Sequence, residues 1–353
     1  MASVEDTGDV PLVEKVAALS DPAAYPEPTA TVSAVETHFS WVFLTDGFAY
    51  KLKKPLRTEE MDLTSLAGRT RNCEREVYLN RRLAPDVYLG IVDLMAGEDG
   101  RLRLSGSGKV VDRLVRMRRL PEDDCLETRL KQGRVSPEDV ARIARGLAEF
   151  LTSQPSLEPV SPVPLRKEIN TSLRDLAVAC DGCFEQAARR VTARLLAFLE
   201  YRSDVPGRDR LVDGHGDLRP EHVFLGPPLR IIDCLEFSDT LRRRDPVDEL
   251  AALGMECERL GVAWIGPVLL ETYGQVAGAP PSPDLCAFYR GLRALVRARI
   301  GVRHLTETPI RTPERWPRQA AEYLRLADRA AAELRGPSMG RSSPTAALRS
   351  KGR

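Results

Sequence analysis

Within a second half that otherwise reads as helix, the run HGDLRPEHVFLGPPLRIIDCLEF at residues 215–237 sets two short apolar stretches around Gly226, Pro227 and Pro228. Proline removes a backbone donor and breaks a helix interior, so the two stretches are expected to pair as a hairpin across that turn. Pairing brings the start of the first strand beside the end of the second, which makes His222 and Asp233 neighbours. Asp217, on the loop entering the hairpin, can face the same cavity, and Glu236 comes just after Asp233. Acidic groups gathered at one edge need a cation. Oxygen ligands suit Mg²⁺, which keeps several waters and binds substrate phosphates as well.

At 353 residues the chain exceeds what one hydrophobic core usually serves, so two domains or one domain of two lobes is expected. Residues 1–29 read as an acidic, Pro-punctuated N-terminal extension with one short helical pattern, an appendage to the folded lobes. From Thr31 the period is that of strands, in TVSAVET, SWVFLT and FAYKLKK, with Asp46-Gly47 placed as a hairpin turn. A helix over about 64–83 and two further strands, YLGIVDL and KVVDRLVRM, complete a small antiparallel lobe at 30–118. Residues 119–335 form a helix-rich lobe interrupted only by the 215–237 run, and 336–353, basic and poor in apolar residues, read as a disordered tail.

Composition narrows the class. Hydrophobic residues at 42% and charged residues at 29% fit a soluble globular chain. With 52 basic and 51 acidic side chains nothing global points to nucleic acid, and no run approaches the roughly eighteen apolar residues of a membrane span. The acidic N-terminus has no secretory pattern, so a cytoplasmic location and reduced thiols are expected for the seven cysteines. Cys180 and Cys183 in CDGC have no second ligand pair nearby and read as a turn or helix packing. SGSGK at 105–109 lacks the upstream glycine of a P-loop and also reads as a turn.

The small lobe supplies the other half of a site. Ala49 and Lys51 share one face of the third strand, and Glu76 lies on the helical stripe of Leu79 and Leu83. A strand lysine paired with a glutamate from the packed helix is the arrangement phosphotransferases use to hold nucleotide phosphates.

These residues carry a resemblance. HGDLRPEHVFL resembles the catalytic loop HRDLKPENILL of protein kinases and, more closely, the HGDLxxxN loop of the aminoglycoside phosphotransferase family. AYK resembles the AIK strand motif, EVYLNRRLAPDVYLGIV the kinase helix and following strand, and IIDCLEF with RRRDPVDELA the metal-binding Asp segment and GDPxxDLA. The similarity covers roughly 31–261 and extends to the N-terminal part of bacterial phosphotransferase/P-loop kinase fusion proteins. It implies an α+β, bilobal, protein-kinase-like fold with its cleft between a small antiparallel-sheet N-lobe and a helix-rich C-lobe. It also implies transfer of the γ-phosphoryl group of ATP to a hydroxyl of a small molecule, with Mg²⁺ as the ion.

Carried over by position, the resemblance makes Asp217 the catalytic base and Asp233 the ligand of the phosphate-bridging metal. Lys51, with Lys53 as the alternative, contacts the α and β phosphates and pairs with Glu76. Arg219 reaches the transferred phosphoryl group, and backbone groups near Val115 to Met117 bind adenine. Two departures stand out. His222 replaces the loop Asn as the second metal ligand, and imidazole suits Mn²⁺ or Zn²⁺ better than Mg²⁺. No GxGxxG is present, so the Glu36–Ser40 turn, with the Ser40 hydroxyl or backbone, has to cover the phosphates.

His215 and Asp245 read as structural, the latter as a helix N-cap before Pro246. Asp248 reads as a brace or a cap, Arg242–Arg244 as a solvated run, and His38 and His304 as non-ligands. Two rival functions remain. One is a nucleotide-binding pseudokinase that regulates a protein partner. The other is a metal-dependent hydrolase with His215, Asp217, His222 and Asp233 as ligands.

Overall fold

A computed structural model of the chain describes residues 10–158, 161–201, 210–306 and 314–335; the expected tail at 336–353 lies outside the described residues. The chain divides into two compact units, one of 1–160 with 207–281 and one of 161–206 with 282–353.

The first unit begins with α1 (Leu12–Leu19) and then alternates into β1 (Ser33–Glu36), β2 (Ser40–Leu44) and β3 (Phe48–Lys53). Helix α2 (Leu66–Asn80) comes next, started by the Ser65 side chain accepting the Gly68 N–H. Then come β4 (Tyr88–Ala96), the two-residue β5 (Leu102–Arg103) and β6 (Lys109–Arg118). The six strands form one antiparallel sheet in the order β1-β2-β3-β6-β4-β5. The five strands read from the sequence are all present, and in SGSGK the residues Ser105 to Gly108 form the turn between β5 and β6 while Lys109 opens β6.

Period-two alternation divides the sheet's faces. Phe43, Tyr50 and Leu52 face one way, into a cluster with Leu19, Ala24 and Tyr25. Ala49, Val115 and Met117 face the other way, against Cys73 and Val77 of α2. The N-terminal segment is therefore not the appendage its composition suggested. Lys15 of α1 is buried and donates to Asp112 at 2.8 Å, and Asp112 also accepts from the fully buried Arg69 at 2.9 Å. Tyr50 O–H donates to Glu27 at 2.8 Å. Hydrophobic burial and a buried charge triad fix residues that locally look polar and loose.

Beyond the sheet the first unit continues with α3 (Leu126–Lys131) and α4 (Pro137–Ser153), the latter started by a reciprocal Ser136/Asp139 capping box. After the excursion into the second unit it resumes with β7 (Val212–Asp213), β8 (Val223–Phe224) and β9 (Arg230–Ile231). α7 (Asp239–Arg242), β10 (Arg243–Arg244), α8 (Pro246–Arg259) and α9 (Ile265–Ala277) complete it. α9 packs on α4 and α8. The α8 contact is close because a Cβ on Gly254 would stand 2.7 Å from the Gly266 Cα, so a side chain at Gly254 would push the helices apart.

The second unit is helical, with α5 (Val163–Val178), α6 (Glu185–Tyr201), α10 (Pro283–Arg303) and α11 (Arg315–Glu333). α10 packs along α11 and α5, and Phe198 stacks on Phe288 at 4.9 Å. Cys180 and Cys183 sit in the tight turn joining α5 to α6. No described helix is long and apolar enough to cross a membrane.

Candidate active site

β3 and α2 build one side. Lys51 and Lys53, two apart on β3, point to the same face, and Glu76 meets them from the buried stripe of α2. Lys51 Nζ donates to Glu76 Oε1 at 2.9 Å and to Asp233 Oδ1 at 2.7 Å. Lys53 Nζ pairs with Glu76 Oε2 and, at 2.7 Å, with Glu236 Oε1. Burial opposes the charge on Lys51, Lys53 and Glu76. For Lys51 the neighbouring Asp233 and Glu76 outweigh it and raise the ammonium well above its usual range. For Glu76 the two lysines outweigh it and hold the carboxyl below its usual range.

The hairpin builds the other side. β8 pairs with β9 in the register Val223 to Ile231, as the Gly-Pro-Pro turn demanded. His222 Nε2 lies 3.6 Å from Asp233 Oδ2. Its Nδ1 sits 2.9 Å from the Asp217 carbonyl, which can only accept, so Nδ1 carries the proton and Nε2 presents a lone pair in the neutral ring. Asp233 is in the left-handed region, with φ of 62°. Its N–H donates to the Tyr88 hydroxyl at 3.1 Å, and the next N–H, of Cys234, donates to Asn80 Oδ1 at 2.8 Å. Partial burial opposes the Asp233 carboxylate, whose side chain is 45% exposed, yet Lys51 beside it holds its pKa far below the usual carboxylate range.

Among the described residues no group of three or more His, Cys, Asp or Glu side chains gathers as a metal site, and the protein offers two donors that could share one ion. Two donors that each stand roughly 2.1 Å from a shared metal can be at most about 4.2 Å apart, and the Nε2–Oδ2 separation falls inside that limit. Asp233 Oδ1 accepts from Lys51, so the nitrogen and Oδ2 are the two groups that would share such an ion. The imidazole is oriented for that role, because it donates its other N–H to a backbone carbonyl.

Residues after the hairpin clamp the loop. Gly216, with φ of 87°, donates its N–H to Glu249 at 2.8 Å, and Arg244 reaches the Gly216 carbonyl and Asp248. Arg242 bonds Asp213 at 2.7 Å and the Leu235 carbonyl at 2.7 Å. Arg82, just past α2, donates to the carbonyls of Asp213 and Gly214, both at 2.9 Å. Asp245 caps α8, accepting from Val247 at 2.9 Å.

His215 is fully buried, with Nε2–H donating to the Ile232 carbonyl at 2.9 Å and Nδ1 accepting the Asp217 N–H at 3.3 Å. Burial pushes its imidazole down to about 4 from 6.5. The folded value is the lower one, so stability is fully present above pH 6.5 and is lost as pH falls toward 4. His215 should contribute about 3 kcal/mol to that loss. Urea midpoints measured across this window should fall less steeply in His215→Gln than in the wild-type chain; equal slopes would contradict the assignment.

Several expectations change. Val115 and Met117 lie inside β6, between β3 and β4, in register with Lys51 and Ala49 on one side and with Ile91 and Tyr88 on the other. Their backbone groups serve the sheet, so adenine cannot be read at those positions; the ladder ends at Arg118 and the segment from Arg119 is the first past it. Ser40 opens β2 opposite Lys53 and is 1% exposed, its Oγ buried without a hydrogen-bond partner, so its hydroxyl does not face outward over the site. The turn before it is held by Phe39, whose ring lies 5.3 Å from that of Phe237. Arg219 pairs with Glu221. Arg242 is 1% exposed, so Arg242–Arg244 is not a solvated run. Both ring nitrogens of His215 are engaged, which removes it from the ligand set of the hydrolase reading. Tyr88, Asn80, Arg82 and Arg242 join this site without any local sequence signal, because each reaches a partner distant in the chain.

No protein-family model matches the chain. Uncharacterized proteins of Mycobacterium tuberculosis and Mycobacterium bovis are each 32% identical over 279 residues, which is 75% of this chain and 53% of the relative. The chain spans about half the length of the curated relatives it matches. A choline/ethanolamine kinase family protein from Mesorhizobium loti superposes with a TM-score of 0.54 at 16% identity, over 90% of this chain and 98% of its own. The chain has a protein-kinase-like fold. Wild-type aminoglycoside 2′-phosphotransferase-IIIa, solved as its GDP complex, gives a TM-score of 0.51 at 17% identity over 90% and 98% of the two chains. Choline kinase from Cryptosporidium parvum gives 0.51 at 9% identity over 91% and 95%. At such identities the kinase-like likeness is one of architecture, and function has to be argued from the side chains.

Proposed function

We propose that the chain is an ATP-dependent phosphotransferase that moves the γ-phosphoryl group to a hydroxyl of a small molecule. The observation that carries this reading is Lys51, which bonds Glu76 and Asp233 at once and so joins the sheet to the hairpin at one point. An apolar face adjoins it, made by Ala49 and Met117 with Val42, Leu44, Leu120 and Ile232, and suits a nucleobase. Structural neighbours named as small-molecule kinases, one solved with GDP, support the class.

In this reading the nucleotide phosphates draw Lys51 from Asp233 while Glu76 keeps it in place. Asp233 and His222 would hold a divalent ion, which would neutralise phosphate charge. Asp217 takes the proton of the acceptor hydroxyl as its oxygen bonds to the γ-phosphorus, and the bond from that phosphorus to the bridging oxygen of ADP breaks. Arg219 exchanges Glu221 for the transferred group. Most of the rate then comes from positioning and charge stabilisation by groups already fixed by the loop clamp.

The test is incubation with γ-labelled ATP and a panel of aminoglycosides and amino alcohols. The label should appear on an acceptor. Label that stays on ATP, or leaves only as inorganic phosphate with every acceptor, contradicts the reading.

A further inference from the structure

Two lysines on one face of β3 share a single carboxylate, and they differ in access. Lys51 keeps 13% of its side chain exposed and its partner Asp233 keeps 45%. Lys53 keeps 1%, and its second partner Glu236 keeps 8%. Burial opposes the charge on Lys53, yet Glu236 and Glu76 hold the ammonium above its usual range. The charges form one alternating chain, Asp233, Lys51, Glu76, Lys53 and Glu236. Its Asp233 end is open and its Glu236 end is closed.

The closed end is tied to everything the open end needs. Glu236 lies three residues past Asp233, and the backbone between them is pinned. Asp233 N–H is held by Tyr88, Cys234 N–H by Asn80 and Leu235 N–H by the His215 carbonyl at 3.1 Å. Arg242 holds the Leu235 carbonyl. On the other side, Glu76 is fully buried, and a cation that left it would strand an unpaired charge. Lys53 prevents this, since it holds the carboxylate oxygen that Lys51 does not.

We propose that Lys53 and Glu236 are a positioning pair, a fixed anchor that holds Glu76 and the Asp233 segment while Lys51 trades Asp233 for nucleotide phosphate. The trade rests on the phosphotransferase reading above; the anchor rests on geometry alone. Lys51 is thus the phosphate-contacting lysine, and Lys53 never leaves its carboxylates.

The experiment compares hydrogen exchange of α2 and of residues 232–237, together with ATP affinity by calorimetry. The variants are Lys51→Met, Glu236→Gln and the paired replacement Lys53→Met/Glu236→Met, studied with the wild-type chain where urea titration shows all to be folded. Lys51→Met should weaken ATP binding about tenfold or more and leave α2 protection unchanged. Glu236→Gln and the paired replacement should speed exchange in both segments about tenfold and weaken ATP binding although Lys51 is intact. Loosening of α2 by Lys51→Met as large as that by Glu236→Gln overturns the division of roles, and so does unchanged exchange in Glu236→Gln. A wild-type chain with the expected exchange pattern that binds no ATP supports the anchor and overturns the phosphotransferase reading.

Discussion

Asp217→Asn should slow transfer of the labelled phosphoryl group by about 10²- to 10⁴-fold, the range of a general base. The loop around it is fixed from its neighbours: His215 accepts the Asp217 N–H, His222 donates to its carbonyl, and Glu249 holds Gly216. An amide of the same shape keeps those backbone bonds but cannot take a proton, so stability should change by no more than about 1 kcal/mol. ATP affinity should stay near that of the wild-type chain because the phosphate contacts belong to Lys51. Transfer rate and binding therefore separate in this variant. A variant that transfers at the wild-type rate removes Asp217 from the chemistry.

Glu76→Ala should destabilise the chain by about 3–5 kcal/mol, the cost of breaking a buried charge pair by removing one side. The carboxylate is fully buried and serves two ammonium groups on one strand, so its loss leaves Lys51 and Lys53 facing each other without the charge between them. Glu76→Gln should lose less, since the amide oxygen still accepts from a lysine. Urea unfolding measures both. A loss in Glu76→Ala below about 1 kcal/mol, the value of an exposed pair, would mean that the site is wet and that the charge chain is not structural.

What could be read from the sequence depended on whether the deciding partner was local. The hairpin at 223–231 was legible because two prolines and a glycine forbid helix between two apolar runs, and pairing then fixes His222 beside Asp233 with no further information. Lys51 and Glu76 were legible through period two on a strand and period 3.6 on a helix. Lys15 was not, because its partner Asp112 lies 97 residues away and no local pattern announces a buried ion pair. Arg242 failed for the same reason, being held by Asp213 across 29 residues. Val115 and Met117 were placed in the right strand, but the point where a strand's backbone becomes free depends on the length of both neighbours, which the residues of β6 do not encode.

The phosphotransferase reading stands or falls on a nucleotide site completed by Asp233. Thermal unfolding of the purified chain with ATP alone, then with Mg²⁺ or Mn²⁺, tests it directly, because a ligand that binds only the folded state raises the midpoint. A metal-dependent rise that disappears in Asp233→Asn is the expected result. No rise with either ion, or a rise of the same size in Asp233→Asn, contradicts it.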